Sequence, residues 1–141
     1  MKAVVQRVSS ARSTPGGAIG RGLCVLVGIA ADDDAAAAAR LAGKVARLRI
    51  FENEEGKFDR SLFDVGGSAL VVSQVTLIAD MRKGNRPSFA EAAPPAVAEP
   101  LYETFCAELE ALGVPVERGV FGARMAVQLV NDGPVTIVVD A

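Results

Sequence analysis

The chain has 141 residues, 50% of them apolar and 23% charged, which is enough for one domain with a sizeable core and too few for two ordinary ones. It contains no histidine and only two cysteines, and its formal net charge is −2. That excludes Ser-His-Asp and Cys-His catalysis, His-ligated metals and a structural zinc site. It also argues against a protein that coats duplex DNA or long RNA with a basic face.

Residues 1–8 read as a strand, with Val4 and Val8 spaced to share a face and Val5 on the other. The same stretch carries Gln6 and Arg7 where a signal peptide needs an apolar run, and no apolar segment approaches the roughly 20 residues of a membrane span. The cytoplasm is the expected compartment, with no membrane partner. Residues 9–20 are polar and glycine-rich, with a turn signal at Pro15-Gly16-Gly17. Residues 22–30 are nearly all apolar and predict a strand covered on both faces. Cys24 within it, and Cys106 in a later helical pattern, read as small core residues.

Asp32-Asp33-Asp34 supplies an N-cap and favourable charge for a helix to about Leu48. Ala37, Leu41, Val45 and Leu48 make its apolar stripe. Arg40, Lys44 and Arg47 fall on an adjoining face, read first as solvated and second as a row that could meet phosphate. A short strand at Arg49–Glu52, a turn at 53–57 and a connection ending in Gly66-Gly67 lead to a strong strand at Ser68–Thr76. Residues 80–95 lack periodicity and carry Arg82, Lys83, Gly84, Asn85, Arg86, Pro87 and Ser88; loops this long in compact domains are often functional. Pro94-Pro95 precede a second helix to about Leu112, with Gly113 as its C-cap. Pro100 predicts a kink or a later start. Strands are expected at 115–119, 124–131 and 135–140. The expected fold is a single α/β (α+β) domain over residues 1–141, with a mixed, mostly antiparallel sheet and two main helices.

Two stretches stand out chemically. In Val71-Val72-Ser73-Gln74-Val75-Thr76-Leu77, three polar side chains interrupt a buried-looking strand, with Gln74 and Thr76 predicted on one face and Ser73 on the other. If buried, each needs a hydrogen bond or costs on the order of 1–3 kcal/mol; the alternative is a strand end with its polar groups satisfied. In Asn131-Asp132-Gly133-Pro134-Val135-Thr136, Asp132-Gly133 suggests a tight hairpin, yet Pro134 follows directly. A cis Gly-Pro bond would aim backbone carbonyls in a fixed, unusual direction, although only about 5–6% of X-Pro bonds are cis.

Val4-Val5-Gln6-Arg7-Val8, Leu48-Arg49-Ile50-Phe51-Glu52, Asp64-Val65-Gly66-Gly67, Ser73-Gln74-Val75-Thr76-Leu77, Lys83-Gly84-Asn85-Arg86-Pro87-Ser88-Phe89 and Asn131-Asp132-Gly133-Pro134-Val135-Thr136 occur in this order. As an ordered set running from residue 1 to about 139, they resemble the bacterial D-aminoacyl-tRNA deacylases. The resemblance implies that fold, with its sheet rolled, and a homodimer. In it a cis Gly133–Pro134 pair reaches into the partner's active site, its carbonyls holding the amino group of the aminoacyl moiety. A D-side chain then points into open space and an L-side chain strikes backbone. By the same resemblance Arg7 braces the Gly-Pro loop. Ser73, Gln74, Val75 and Thr76 line the site around the terminal adenosine and scissile ester, where backbone amides can stabilise an oxyanion. Lys83 and Arg86 meet acceptor-stem phosphates. Thr76 as a nucleophile would need a base, and no histidine exists to serve; the family scheme uses the 2′-hydroxyl of the terminal ribose instead. Whether glycine on a wrong tRNA is also a substrate is left open by the sequence. The 3′ end of an aminoacyl-tRNA is the implied partner, with no DNA, no metal and no cofactor expected. Unlike the family pattern, residues 9–20 are a few residues short, Val75 replaces a Phe, and Arg124 replaces an acidic residue. Two other readings stay open: a binding module that has lost catalysis, and a Gly-trans-Pro relative admitting L-amino acids.

Overall fold

Buried Ala3 and Val5 alternating with Val4 and Gln6 make a strand of the first residues, and it does not stop at Val8. In the computed structural model, which describes residues 1–141, β1 spans Lys2–Thr14. The polar segment from residue 9 stays extended because the C-terminal strand pairs along its length, from Lys2↔Asp140 to Thr14↔Ala126. A ladder supplied by a distant partner leaves no local signature in a polar sequence. Ser13 is buried and donates from Oγ to the Pro15 carbonyl at 2.8 Å. The Thr14–Pro15 peptide is cis, and the chain returns through the short β2, Ala18–Ile19.

β3, Gly22–Gly28, lies antiparallel to β1 and parallel to β6, Ser68–Ser73. β6 pairs in parallel with β7, Val116–Arg118. The last strand, β8, spans Ala126–Asp140, so the two strands expected at 124–131 and 135–140 are one. Gly17 N donates to Arg118 O at 2.9 Å and Gly16 bridges Gly119, which ties the β1–β2 turn to the far edge and curls the sheet almost closed. A separate two-stranded ribbon joins β4, Phe51–Glu52, to β5, Phe58–Arg60.

α1, Ala35–Ala46, begins as expected: Asp34 Oδ1 accepts from Ala37 N at 2.9 Å. α2, Leu62–Val65, is a single turn. α3, Pro95–Ala111, runs through Pro100 without ending there, and Gly113 takes a φ of +95° just beyond it. Leu41, Val45, Phe105 and Leu109 pack with Leu23, Val25, Val27 and Val71 in one apolar cluster. Val8, Ala11, Cys24, Leu70 and Val72 form a smaller one. Leu23, Cys24 and Val25 thus feed alternate clusters, as expected of a strand covered on both faces. No helix is long and apolar enough to cross a membrane.

Candidate active site

Across most of their length β1 and β8 pair residue for residue, but between Gln6↔Thr136 and Val8↔Asn131 the register shifts. There Asp132, Gly133, Pro134 and Val135 stand opposite Arg7 alone. The excess chain loops outward with Asp132, Gly133 and Pro134 exposed, while Val135 turns in. Bulges of this kind re-aim backbone at functional sites. The Gly133–Pro134 peptide is cis.

Arg7 is 5% exposed and spends its guanidinium on the loop and its surroundings. Nε donates to Asp132 O at 2.8 Å, Nη1 to Ile50 O at 2.8 Å, and Nη2 to Glu52 Oε1 at 3.3 Å. The Phe58 ring lies 5.7 Å from its centre of charge. Apart from Asp132, the groups that hold Arg7 come from the segment around β4 and β5, which no local pattern linked to residue 7.

The Ser73–Thr76 stretch departs from expectation. β6 ends at Ser73, and Val75–Ile78 form a 3₁₀ turn, so the alternating-face assignment of Ser73 against Gln74 and Thr76 does not hold. Gln74 N makes one last ladder-like bond to Val27 O at 2.8 Å, and Leu77 N closes on Gln74 O at 3.1 Å. Thr76 is exposed, and Ser73 and Gln74 are half-buried, so water lowers the desolvation penalty that full burial would impose. Gln74 Nε2 donates to Thr76 Oγ1. An amide is no base, so this contact positions the hydroxyl without activating it.

Ser73 and Val75 border a cleft of about 300 Å³ whose other walls include Ile29, Ala98, Phe121 and Met125. These come from four separate segments, which is why sequence spacing did not collect them. Buried Tyr102 supports the wall: its hydroxyl donates to Val71 O at 2.7 Å and its ring lies 5.9 Å from that of Phe121. The cleft is mostly apolar and suits a flat ring better than a charged group.

In the 80–94 loop, Asp80 and Ser88 pair across its neck. Hydrogen bonds from Arg82 hold the Asp80 carboxyl down at about 2, and Arg82 also reaches Glu91 at 3.5 Å. Lys83 and Arg86 are exposed and form no ion pair, so these two cations remain available for phosphate. Cys24 and Cys106 are buried and unpaired, and burial pushes both thiols up to about 11. At neutral pH they stay protonated and unreactive. Native protein at pH 8 is expected to resist alkylation by iodoacetamide, with both thiols labelled only after unfolding in urea. Rapid labelling of either native thiol would contradict that burial.

Arg7, Gly133 and Pro134 are thus assembled as one unit, and Ser73, Gln74, Val75 and Thr76 as another. Ser73 and Val75 line one cleft and Arg7 and Gly133 another, the second shared with Glu52 and Asp132, and the two groups share no hydrogen bond within the chain.

The sequence profile of the family described as D-Tyr-tRNA(Tyr) deacylase matches residues 4–140. A D-aminoacyl-tRNA deacylase of Thermomicrobium roseum is 63% identical over 145 aligned positions, covering 100% of this chain and 94% of the relative. Another of Roseiflexus sp. strain RS-1 is 60% identical, with the same coverage. Among solved structures, the c-Myc DNA Unwinding Element Binding Protein superposes with a TM-score of 0.93 at 43% identity, over 100% of this chain and 99% of that one. A probable eukaryotic D-amino acid tRNA deacylase superposes with a TM-score of 0.83 at 18% identity, over 99% and 98% of the two chains, which shows a common fold. With a profile match over nearly its whole length and relatives of this identity, the chain belongs to the D-aminoacyl-tRNA deacylase family of hydrolases.

Proposed function

We propose that this protein hydrolyses the ester joining a D-amino acid to the 3′-terminal adenosine of tRNA, and that it does so as a homodimer in the cytoplasm. The observation that carries the reading is the Gly133–Pro134 loop, exposed on a strand that the Ser73–Thr76 cleft of the same chain does not touch. A second copy can bring the two together. The outer side of β8 suits such a partner, since it is a long edge strand exposing Val127, Val130 and Val138, a surface that free proteins seldom leave uncovered.

In this dimer the apolar cleft beside Val75 and Phe121 takes the adenine, and backbone carbonyls of the partner's loop hold the substrate ammonium. Selection is by exclusion. An L-side chain meets backbone, a D-side chain meets solvent, and glycine, having no side chain, is also accepted. Water adds to the ester carbonyl, the 3′-oxygen leaves as the ribose hydroxyl, and free amino acid is released. Backbone amides near Thr76 face the developing oxyanion, and the neighbouring 2′-hydroxyl assists in place of a protein base. Lys83 and Arg86 orient the acceptor stem through charge alone.

Purified dimer is expected to release D-tyrosine from D-tyrosyl-tRNA while sparing L-tyrosyl-tRNA. Thr76→Val is expected to lose no more than about tenfold, roughly the worth of one hydrogen bond; loss of all activity would instead make Thr76 the nucleophile. Release of neither amino acid by the wild type would overturn the reading and favour a binding module.

A further inference from the structure

The four-residue loop opposite Arg7 has two flanks, and Arg7 holds only one of them. Its Nε bond ends at Asp132 O, on the near side of Gly133. The far side is held by a different residue. Asn131, at the base of the loop, accepts from Val135 N through Oδ1 at 2.8 Å and donates from Nδ2 to Thr136 Oγ1 at 3.2 Å. The Val135 bond fixes the amide's orientation, because a backbone N–H needs the oxygen. Both bonds cross the neck of the loop. Val135 N lies immediately after Pro134, and Thr136 is the first residue to regain register with Gln6.

We infer that Asn131 is a positioning residue for chiral selection: its side chain clasps the neck of the Gly133–Pro134 loop and so sets where that loop's carbonyls point. The inference rests on the proposed deacylase reading and extends it. Steric exclusion discriminates by the position of a backbone wall, and a misplacement of about 1 Å in such a site can cost about a hundredfold. Burial of Val135 and the pairing of Thr136 with Gln6 fix where the chain leaves the loop, but with Arg7 alone nothing sets the orientation of the Pro134–Val135 peptide between Asp132 and that anchor. With Asn131 in place, Gly133 and Pro134 are held between a fastened Asp132 carbonyl and a fastened Val135 N–H. Asn131 acts through the loop and not by contact with the reacting ester or the tRNA.

The test compares wild-type dimer with Asn131→Ala, Asn131→Asp and Thr136→Val on D-tyrosyl- and L-tyrosyl-tRNA, with thermal unfolding in parallel. Asn131→Ala is expected to lower the ratio of D to L release by about tenfold or more, equivalent to about 1.4 kcal/mol of discrimination. Asn131→Asp keeps an acceptor for Val135 N and can accept from the Thr136 hydroxyl, so it is expected to restore the ratio to within about threefold, less than one hydrogen bond. Thr136→Val removes one of the two bonds and is expected to fall between. A role in stability alone would lower the unfolding temperature and leave the ratio at the wild-type value, and that result overturns the inference. Should Asn131→Ala not fold, an unchanged ratio in Thr136→Val does the same. A wild type that releases neither amino acid sinks the deacylase reading instead, so the two failures are distinguishable.

Discussion

Gly133→Ala is expected to reduce kcat/KM for D-aminoacyl-tRNA by about a hundredfold or more. A Cβ at this position would lie 2.7 Å from Val135 Cγ2, 2.9 Å from Val135 N and 3.2 Å from Arg7 Nη2. The second of these is backbone, which no change of rotamer can move aside. The residue also has a φ of +146°, a region that side-chain-bearing residues enter at a cost of about 1–3 kcal/mol. The loop must therefore shift, and the shift falls on the residues that, in the proposed function, face the substrate. Because the loop is exposed and the core is elsewhere, the fall in unfolding temperature is expected to be a few degrees. Steady-state kinetics on D-tyrosyl-tRNA beside a thermal melt would check both. Undiminished activity would show that the position of this loop does not govern the reaction.

Arg7→Ala carries the second large effect. The guanidinium is nearly inaccessible, and its strongest ties are to two carbonyls, Asp132 O and Ile50 O, each at 2.8 Å. Its carboxylate partners are about half exposed and water screens them, so the ion pairs add little. Loss of two charge-assisted bonds, with the carbonyls left behind, is expected to destabilise the fold by about 3 kcal/mol. It would also release the loop on the side Asn131 does not hold, lowering D-selectivity as well as rate. Arg7→Lys supplies one ammonium where three acceptors are spread around a planar fork, so it is expected to recover only part of either. Urea unfolding and the ratio of D to L release would separate the two consequences. An alanine variant with wild-type selectivity would remove Arg7 from the selection mechanism.

The order of elements was legible wherever burial was periodic. β3 announced itself by a nearly continuous apolar run, α1 by its aspartates and its three-to-four spacing, and α3 by Pro94-Pro95 and Gly113. What stayed hidden depends on partners far away in the chain. The outer half of β1 is polar and becomes a strand only because β8 lies beside it. β8 itself looked like two strands around a turn, since Asp132-Gly133 is a signal of chain reversal even with Pro134 directly after it. The pairing with β1 on both sides overrides that signal and turns the reversal into a bulge.

The same division holds for the site. Arg7, Gly133 and Pro134 were grouped by resemblance, and the structure sets Arg7 against that loop through its bond to Asp132 O. Ile50 and Glu52 could not have been attached to Arg7 from spacing, and Phe121 and Met125 meet Val75 only through the fold. The polar run at Ser73–Thr76 was read as a puzzle of burial. It is a strand end, where the polar side chains sit at the surface and cost little.

The register of β1 against β8 has a consequence for which lengths of chain can change over generations. Both ends of the loop are fastened to paired strands, so adding or removing one residue between Asn131 and Thr136 either changes the reach of the Gly133–Pro134 loop or throws one half of β8 a step out of phase. In the second case every side chain from there to Asp140 would exchange faces. The Pro15–Gly17 turn is tied to the far edge of the sheet, but it joins strand ends at the rim, so a change in its length leaves the phase of β1 against β8 untouched. Insertions and deletions in this fold are thus expected to accumulate at the rim turn and to be absent from the loop, however freely individual residues around either are exchanged.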